Sequence, residues 1–348
     1  MRILLIKTSS MGDVIHTLPA LTDAGKAIPN IVFDWVVEES FAEIPHWHPL
    51  VDTVIPVALR RWRKNIFSEK TRKEWRQFKE LLHAHDYDLI LDAQGLSKSA
   101  FLSLFARGKC AGLDFSSARE ALASFAYRYK YKVNFYQHAV SRMRQLFSQA
   151  LGYELPKTIP DFNLNGGQFN KVEQEENYLV FLHGTTWASK QWPETYWVQL
   201  AELAKAAGYR VKMSGGNDEE VARAKRLAEQ ASNIDVMPRL SIGTMARLLA
   251  NAKAAVAVDT GFGHLSAALE VPTVSIYGST NPEYTGALGK ASIHLSAKFS
   301  CAPCLNRTCQ YKKPAVVVPA CYATVPPALV WDTVVKMLEQ ARDSYITE

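Results

Sequence analysis

Residues able to do chemistry fall into three sets in this 348-residue chain. The first is a series of polar turns in the second half: Thr185/Thr186/Lys190, Gly215/Gly216, Thr260/Gly261 and Ser279/Thr280. Hydroxyls, glycine amides and one lysine brought together suit a diphosphate, because aligned donors and a cation offset its charge. The G-x-x-x-x-G-K-[ST] of a P-loop is absent. The second set is Thr8-Ser9-Ser10-Met11-Gly12-Asp13, small residues whose free amides beside a helix start form an anion site. Asp13 falls in the first turn, where the helix dipole favours a carboxylate, and complementing that dipole is an equally ordinary role for it. The third set is Arg60-Arg61-Trp62-Arg63-Lys64, continued by Lys70, Arg72, Lys73, Arg76 and Lys79 with only Glu69 and Glu74 among them. Guanidinium forks suit carboxylates and phosphates, with Lys98 and Arg119 as companions, and a solvated face is the plain alternative.

Each set needs an element to aim it. Apolar runs at 3–7, 31–37, 51–57 and 89–91 read as strands, with helices over 67–84 and 96–106 and a helix over 137–151 that Gly152 ends. The pattern restarts with strands at 178–182, 209–213, 234–237, 254–258 and 272–277, and a helix with Pro193 in its first turn. Such alternation specifies parallel sheets covered on both faces, an α/β class. The run at 254–258 ends in Asp259-Thr260-Gly261-Phe262-Gly263-His264, with a helix expected over 264–270. Ligands gather beyond the carboxyl ends of such strands, so Asp259 to His264 is expected to touch one. Glu220 reads either as the far partner of a capping-box-like Asn217-x-x-Glu220 or as a carboxylate for sugar hydroxyls. The D-x-D of Asp86-Tyr87-Asp88 precedes a strand, on the side away from the carboxyl ends, and reads as a turn. A final helix over 327–342 carries an apolar stripe and docks on a core.

The length points to two domains, with a polar boundary near residues 160–176. Residues 1–160 hold 22 Lys+Arg against 16 Asp+Glu and residues 161–348 hold 18 against 18, so the net charge of +6 lies in the first half. That asymmetry fits an anionic partner there, whether nucleic acid, a membrane surface or an acidic small molecule. No G-x-G-x-x-G follows the first strand, which weighs against a nicotinamide or flavin site. No apolar run approaches the ~20 residues of a membrane span and no signal-peptide pattern follows Met1, so the chain reads as cytosolic. Cys301, Cys304, Cys309 and Cys321 have the look of a structural tetrathiolate site, though simple reduced thiols in a loop are the stronger reading of their spacing.

Five stretches carry a resemblance: residues 7–19 (KTSSMGDVIHTLP), 60–64 (RRWRK), 92–96 (DAQGL), 182–186 (LHGTT), and Val258-Asp259-Thr260-Gly261-x-x-His264. They resemble the lipopolysaccharide heptosyltransferase I family over nearly the whole chain. The resemblance implies the GT-B fold, two Rossmann-like α/β/α domains facing each other across a cleft. These would be an acceptor domain at 1–165, a nucleotide-sugar domain at 176–325, and a C-terminal helix at 326–348 that packs back on the first domain. It implies inverting, metal-independent transfer of L-glycero-D-manno-heptose from ADP-heptose to a Kdo sugar of Kdo2-lipid A, with no cofactor and no nucleic acid. The enzyme would work peripherally on the cytoplasmic face of the inner membrane. Asp13 would be the general base, and Thr185, Thr186, Thr260 and Gly261 would hold the diphosphate. Lys190 would offset leaving-group charge, Asp259 with His264 would bind heptose hydroxyls, and Glu220 the ribose. Ser10, Gly12, Arg60, Arg61, Arg63, Lys64, Lys98, Arg119, His138 and Arg142 would receive the acceptor. Closure between domains is expected, since base and donor lie on different ones. The cysteine segment looks like an insertion relative to short type I members and resembles segments of other heptosyltransferases. A type II heptosyltransferase, a sugar-nucleotide epimerase of the same fold, and a non-catalytic anion-binding protein are the competing readings.

Overall fold

Alternating apolar segments and amphipathic helices build two compact units in the computed structural model, Met1–Leu164 and Asn165–Glu348. The structure describes residues 1–164, 169 and 177–346. Most of the polar linker, residues 165–168 and 170–176, lies outside the described residues. The first unit runs β1 (Arg2–Ile6), α1 (Met11–Ile15), α2 (Leu18–Ala27), β2 (Val32–Glu38), β3 (Val51–Val57), α3 (Leu59–Trp62), α4 (Glu69–Leu82), β4 (Leu89–Asp92), α5 (Ser97–Ser103), β5 (Cys110–Leu113), β6 (Tyr129–Tyr131) and α6 (Ala139–Leu151). The second runs β7 (Tyr178–Leu182), α7 (Glu194–Ala206), β8 (Arg210–Met213), α8 (Asp218–Ala228), β9 (Ile234–Val236), α9 (Ile242–Ala250), β10 (Ala254–Val258), α10 (Gly261–Ala268), β11 (Thr273–Tyr277), α11 (Pro282–Thr285), β12 (Ser292–Ser296) and α12 (Pro327–Ile346).

Each unit has one six-stranded sheet, ordered β3-β2-β1-β4-β5-β6 and β12-β11-β10-β7-β8-β9, with every described pairing parallel. Counted from its own first strand, each sheet therefore has the Rossmann order 3-2-1-4-5-6. The order of strand addition reverses between β1 and β4 in one sheet and between β7 and β10 in the other, and crevices open beyond the carboxyl ends of strands at such points. Central strands are buried on both faces: Ile3 to Ile6 are 0% exposed, and all of β10 is buried. β5, β6 and β12 were not anticipated. β6 (Tyr-Lys-Tyr) and β12 (Ser-Ile-His-Leu-Ser) are short edge strands without a buried apolar run, so their strand signal is weak.

Packing explains where other elements end. The second core packs Trp192 edge-to-face against Trp197 at 5.0 Å between ring centroids, and Trp192 Nε1 donates to Val325 O at 3.1 Å. Val330, Val334 and Met337 of α12 enter that core. The C-terminal helix thus contributes to the second unit's core. In the first unit Arg144 Nε and Nη2 grip Asp23 at 2.5 and 3.2 Å, a buried bidentate pair joining α6 to α2.

His48 makes the first unit sensitive to acid. Its Nδ1 accepts from Leu50 N at 3.3 Å, so Nε2 carries the proton toward Thr22 Oγ1 at 3.0 Å. Burial lowers its pKa from 6.5 to about 4. Below pH 6.5 the unfolded imidazole takes a proton that the folded one refuses. Stability is therefore complete above the unfolded value and is lost as pH falls toward the folded one, by about 2–3 kcal/mol at pH 4.5. Urea unfolding at pH 7 and 4.5 should show this loss reduced in His48→Gln; an equal loss in both proteins refutes the assignment.

Candidate active site

In the first unit the turn after β1 and the turn after β4 meet at the switch point. Asp92 ends β4 and is fully buried; its Oδ1 accepts from Gln94 N (2.8 Å) and Gly95 N (3.2 Å), and its Oδ2 from Tyr127 OH (2.6 Å) and Ser99 Oγ (2.8 Å). Burial pushes this carboxyl up, and those hydrogen bonds oppose the shift. Gln94, so held, presents Oε1 to Thr8 N and Ser9 N, both at 3.1 Å. The turn carrying Asp13 is thereby locked. Asp13 Oδ2 accepts from Ser10 N at 2.7 Å and Ser10 Oγ at 2.9 Å, closing a capping box on α1. Asp13 thus completes the helix start, as a half-buried carboxylate at the switch point.

Lys7 was overlooked, although a lysine closing a strand of aliphatic residues was the available signal. It is 6% exposed, its Nζ donates to Ala93 O at 2.9 Å, and burial lowers its pKa while Asp13 and then Asp92 oppose the shift. Arg142 donates from Nη2 to Ser117 O at 3.1 Å and lies 4.7 Å over the Phe135 ring. Its buried Nε has no partner among the described residues. Burial lowers the pKa of Arg142 against the pull of Asp13, so Lys7, Asp13 and Arg142 share one electrostatic neighbourhood. His138 caps α6, accepting from Val140 N at Nδ1, and its ring lies 5.3 Å from that of His16. Ser10, Lys98 and Arg119 are exposed, and Gly12 is buried in α1.

The basic run divides. Arg61 is tied to Glu39 (2.8 Å) and Glu74 (2.7 Å), both of which raise its pKa. Trp62 enters the core beside Trp75 and Phe78 and donates to Glu74 Oε2 at 2.6 Å; its interleaving among the basic residues is a packing feature. Arg60, Arg63 and Lys64 are exposed, with Arg60 5.6 Å over Phe41. Asp88 accepts from Arg2 N at 2.7 Å just before β4, as its turn reading implies.

In the second unit the switch point lies between the turns after β7 and β10. Thr260 is the N-cap of α10, which begins at Gly261 and so starts earlier than expected, placing His264 inside the helix at 7% exposure. Lys190 Nζ and Thr280 Oγ1 both reach Asp259 Oδ2 at 2.7 Å, and His264 Nε2 lies 3.9 Å from Asp259 Oδ1. Thr185 Oγ1 donates to Asp259 O at 3.2 Å, and Thr186 is exposed. Residues from three turns thus converge on one carboxylate. Lys190 lies 4.5 Å over the Trp187 ring, and Arg307, a cation that sequence reading passed over, lies 5.7 Å from the same ring. Asn217 Oδ1 caps Glu220 N at 2.9 Å, while Glu220 Oε2 takes Gly216 N at 2.8 Å. A Cβ at Gly184 would lie 2.7 Å from the Glu220 carboxyl carbon, so that carboxylate leans over the β7 turn. Glu220 is therefore both beside a capped helix start and at the site.

The four late cysteines are free thiols lining one cavity of about 190 Å³ with Ser189, Ser279 and Tyr311. Burial pushes Cys321 up to about 11, which keeps it a thiol. Among the described residues no group of three or more His, Cys, Asp or Glu side chains is placed to hold a metal ion. The segment braces the turns after β7 and β11: Ser189 N donates to Arg307 O (3.1 Å), and Leu305 N to Ser279 O (2.8 Å).

Two Rossmann-order sheets, the second with hydroxyls, glycines and a lysine at its switch point, define a glycosyltransferase of the GT-B class. The model of glycosyltransferase family 9 (heptosyltransferase) matches residues 75–315. The chain is 57% identical over 313 residues to lipopolysaccharide heptosyltransferase 1 of Pseudomonas aeruginosa, covering 90% of this chain and 88% of that one. It is 50% identical over 292 residues to the protein of the same name from Escherichia coli K12, covering 83% and 92%. The solved structure of E. coli heptosyltransferase WaaC with ADP-2-deoxy-2-fluoro heptose matches with a TM-score of 0.83 at 43% identity, covering 97% of this chain and 99% of that one. This chain belongs to glycosyltransferase family 9, and it is a heptosyltransferase.

Proposed function

We propose that this enzyme is of type I and moves L-glycero-D-manno-heptose from ADP-heptose to a Kdo sugar of Kdo2-lipid A, with inversion and without a metal. The observation that carries the type is the contrast in identity: 50% to the type 1 protein of E. coli K12 against 24% to its type 2 protein, each over 83% of this chain. The ADP donor is supported by the E. coli relative solved with ADP and with an ADP-heptose analogue.

Inversion needs one base and no covalent intermediate. Asp13 accepts the acceptor hydroxyl proton as its oxygen bonds to the anomeric carbon of heptose, while the bond to the β-phosphate oxygen breaks. A carboxylate is a far weaker base than the alkoxide that full removal of the proton would leave, so proton removal is concerted with bond cleavage. Thr185, Thr186, Thr260 and Gly261 hold the diphosphate, and Lys190 supplies the positive charge that offsets the departing ADP. Asp259, repelled by phosphate, serves heptose hydroxyls with Thr280 and His264 beside it, and Glu220 serves the ribose. Arg142, Lys98, Arg119, His138, Ser10, Gly12, Arg60, Arg63 and Lys64 receive Kdo carboxylates and lipid A phosphates. Arg61 orders the loop through Glu39 and Glu74. No helix among the described residues is long and apolar enough to cross a membrane, and the enzyme works peripherally at the cytoplasmic face of the inner membrane.

Mass spectrometry of product after incubation with Kdo2-lipid A and a panel of nucleotide sugars tests this. A single heptose added from ADP-heptose is expected. Incorporation of a hexose overturns the donor assignment, and transfer only to an already heptosylated core overturns type I.

A further inference from the structure

On the first unit, α5 and the 3₁₀ turn Ala121–Ala126 pack through Ala100 and Ala123, leaving large apolar side chains on the outside. Leu122 is 70% and Phe125 71% exposed, and the two share a face because residues three apart eclipse in a 3₁₀ turn. Phe115 is 61% exposed with its ring centroid 6.3 Å from that of Phe125. Phe101 and Leu104, in and just after α5, are also exposed. Single exposed apolar residues are ordinary; a cluster rimmed by charge marks a binding surface.

The segment that carries these residues is charged mainly with one sign. Residues 98–132 hold seven Lys+Arg against only Asp114 and Glu120, nearly all the net charge of +6. Both acids are occupied locally: Asp114 Oδ1 accepts from Ser116 N and Ser117 N, and Glu120 Oε2 from Ser97 N. The cations stay among the aromatics, with Lys130 Nζ 6.0 Å over the Phe125 ring and Arg128 5.9 Å over Tyr129. The loop is also anchored to the acceptor side of the sheet, since Glu120 N donates to Gly95 O at 3.0 Å, in the turn after β4.

We propose that this face docks on an anionic lipid bilayer, with Leu122, Phe125 and Phe115 entering the acyl boundary and Arg128 and Lys130 meeting head-group phosphates. Apolar area and electrostatic attraction add in such binding, which gives it both strength and salt dependence. The surface itself stands on exposure and charge; only the reason it borders the Asp13 turn rests on the proposed lipid-linked acceptor. Docked this way, the enzyme meets that acceptor without withdrawing its acyl chains from the membrane.

Sedimentation of the full chain with phosphatidylcholine vesicles, with and without phosphatidylglycerol, tests this. Binding is expected only with phosphatidylglycerol present and should fall as salt rises. Leu122→Asn/Phe125→Asn is expected to cut partitioning at least about tenfold, and Arg128→Glu/Lys130→Glu to abolish it. Both variants should retain the wild-type rate on a water-soluble, acyl-free Kdo acceptor, which also shows that they fold. Wild-type protein that ignores anionic vesicles overturns the proposal and leaves a protein partner as the occupant. So does a Leu122→Asn/Phe125→Asn variant that binds as well as wild type. Vesicle binding without any heptose transfer to the soluble acceptor counts against the type I reading and leaves the surface standing.

Discussion

Replacing Asp13 with Asn is expected to lower kcat for heptose transfer by about 10²–10⁴-fold, the range a general base contributes, with ADP affinity unchanged. The substitution isolates one property. Asn keeps an oxygen for Ser10 N and Ser10 Oγ, so the helix start survives, while the group able to accept a proton is gone. Ser10→Ala is the complementary variant, since it trims the cap but spares the carboxylate. It should cost about 1 kcal/mol of stability at most and leave kcat largely intact, any loss appearing in KM for the acceptor that Ser10 helps to receive. Steady-state kinetics with calorimetric ADP binding separates the two roles. If Asp13→Asn stays within about threefold of wild type in kcat/KM, Asp13 only complements the helix dipole.

Lys190→Ala is expected to reduce kcat/KM by about 10²–10³-fold, as loss of one charge-stabilising donor does, and to weaken ADP binding more than loss of one contact implies. The reason is Asp259. Its side chain is 9% exposed and is neutralised by Lys190 at 2.7 Å, so removing the lysine leaves a buried carboxylate facing a diphosphate. Adding Asp259→Asn to Lys190→Ala removes that repulsion, and the double variant should recover part of the ADP affinity without recovering transfer. Residues that share a partner are not additive in this way. A double variant that binds ADP no better than Lys190→Ala shows that the carboxylate does not face the phosphates.

Much of the site was legible because polar turns at strand ends have compositional signatures. Thr185, Thr260, Gly261, Thr280 and Asp13 stand out as small or acidic residues directly after aliphatic runs, and the order of those runs implies a doubly wound sheet. Residues whose roles depend on who packs beside them were not legible. Lys7 looks like the polar end of a strand, yet it is a buried cation near Asp13 and Asp92. Arg61 looks like one more acceptor cation, yet Glu39, from a segment about twenty residues earlier, and Glu74 from α4 claim it. Trp62 looks like an aromatic among bases and is core. Arg307 carried no signal, because its place beside Trp187 depends on how the cysteine segment folds back on the donor turn.

By itself the sequence determined the class: two α/β units, their central strands, and which turns carry hydroxyls, glycines and charge. These are local properties, set by hydrophobic period and turn chemistry within a few residues. Tertiary structure alone decided that Lys190, Thr280 and His264 gather on the Asp259 carboxylate, and that Asp92 acts through Gln94 to lock the Asp13 turn. It also brought the exposed rings of Phe115 and Phe125 together beside Lys130. Such pairings join residues tens of positions apart, and parallel-sheet register and helix packing, which no local pattern encodes, select them.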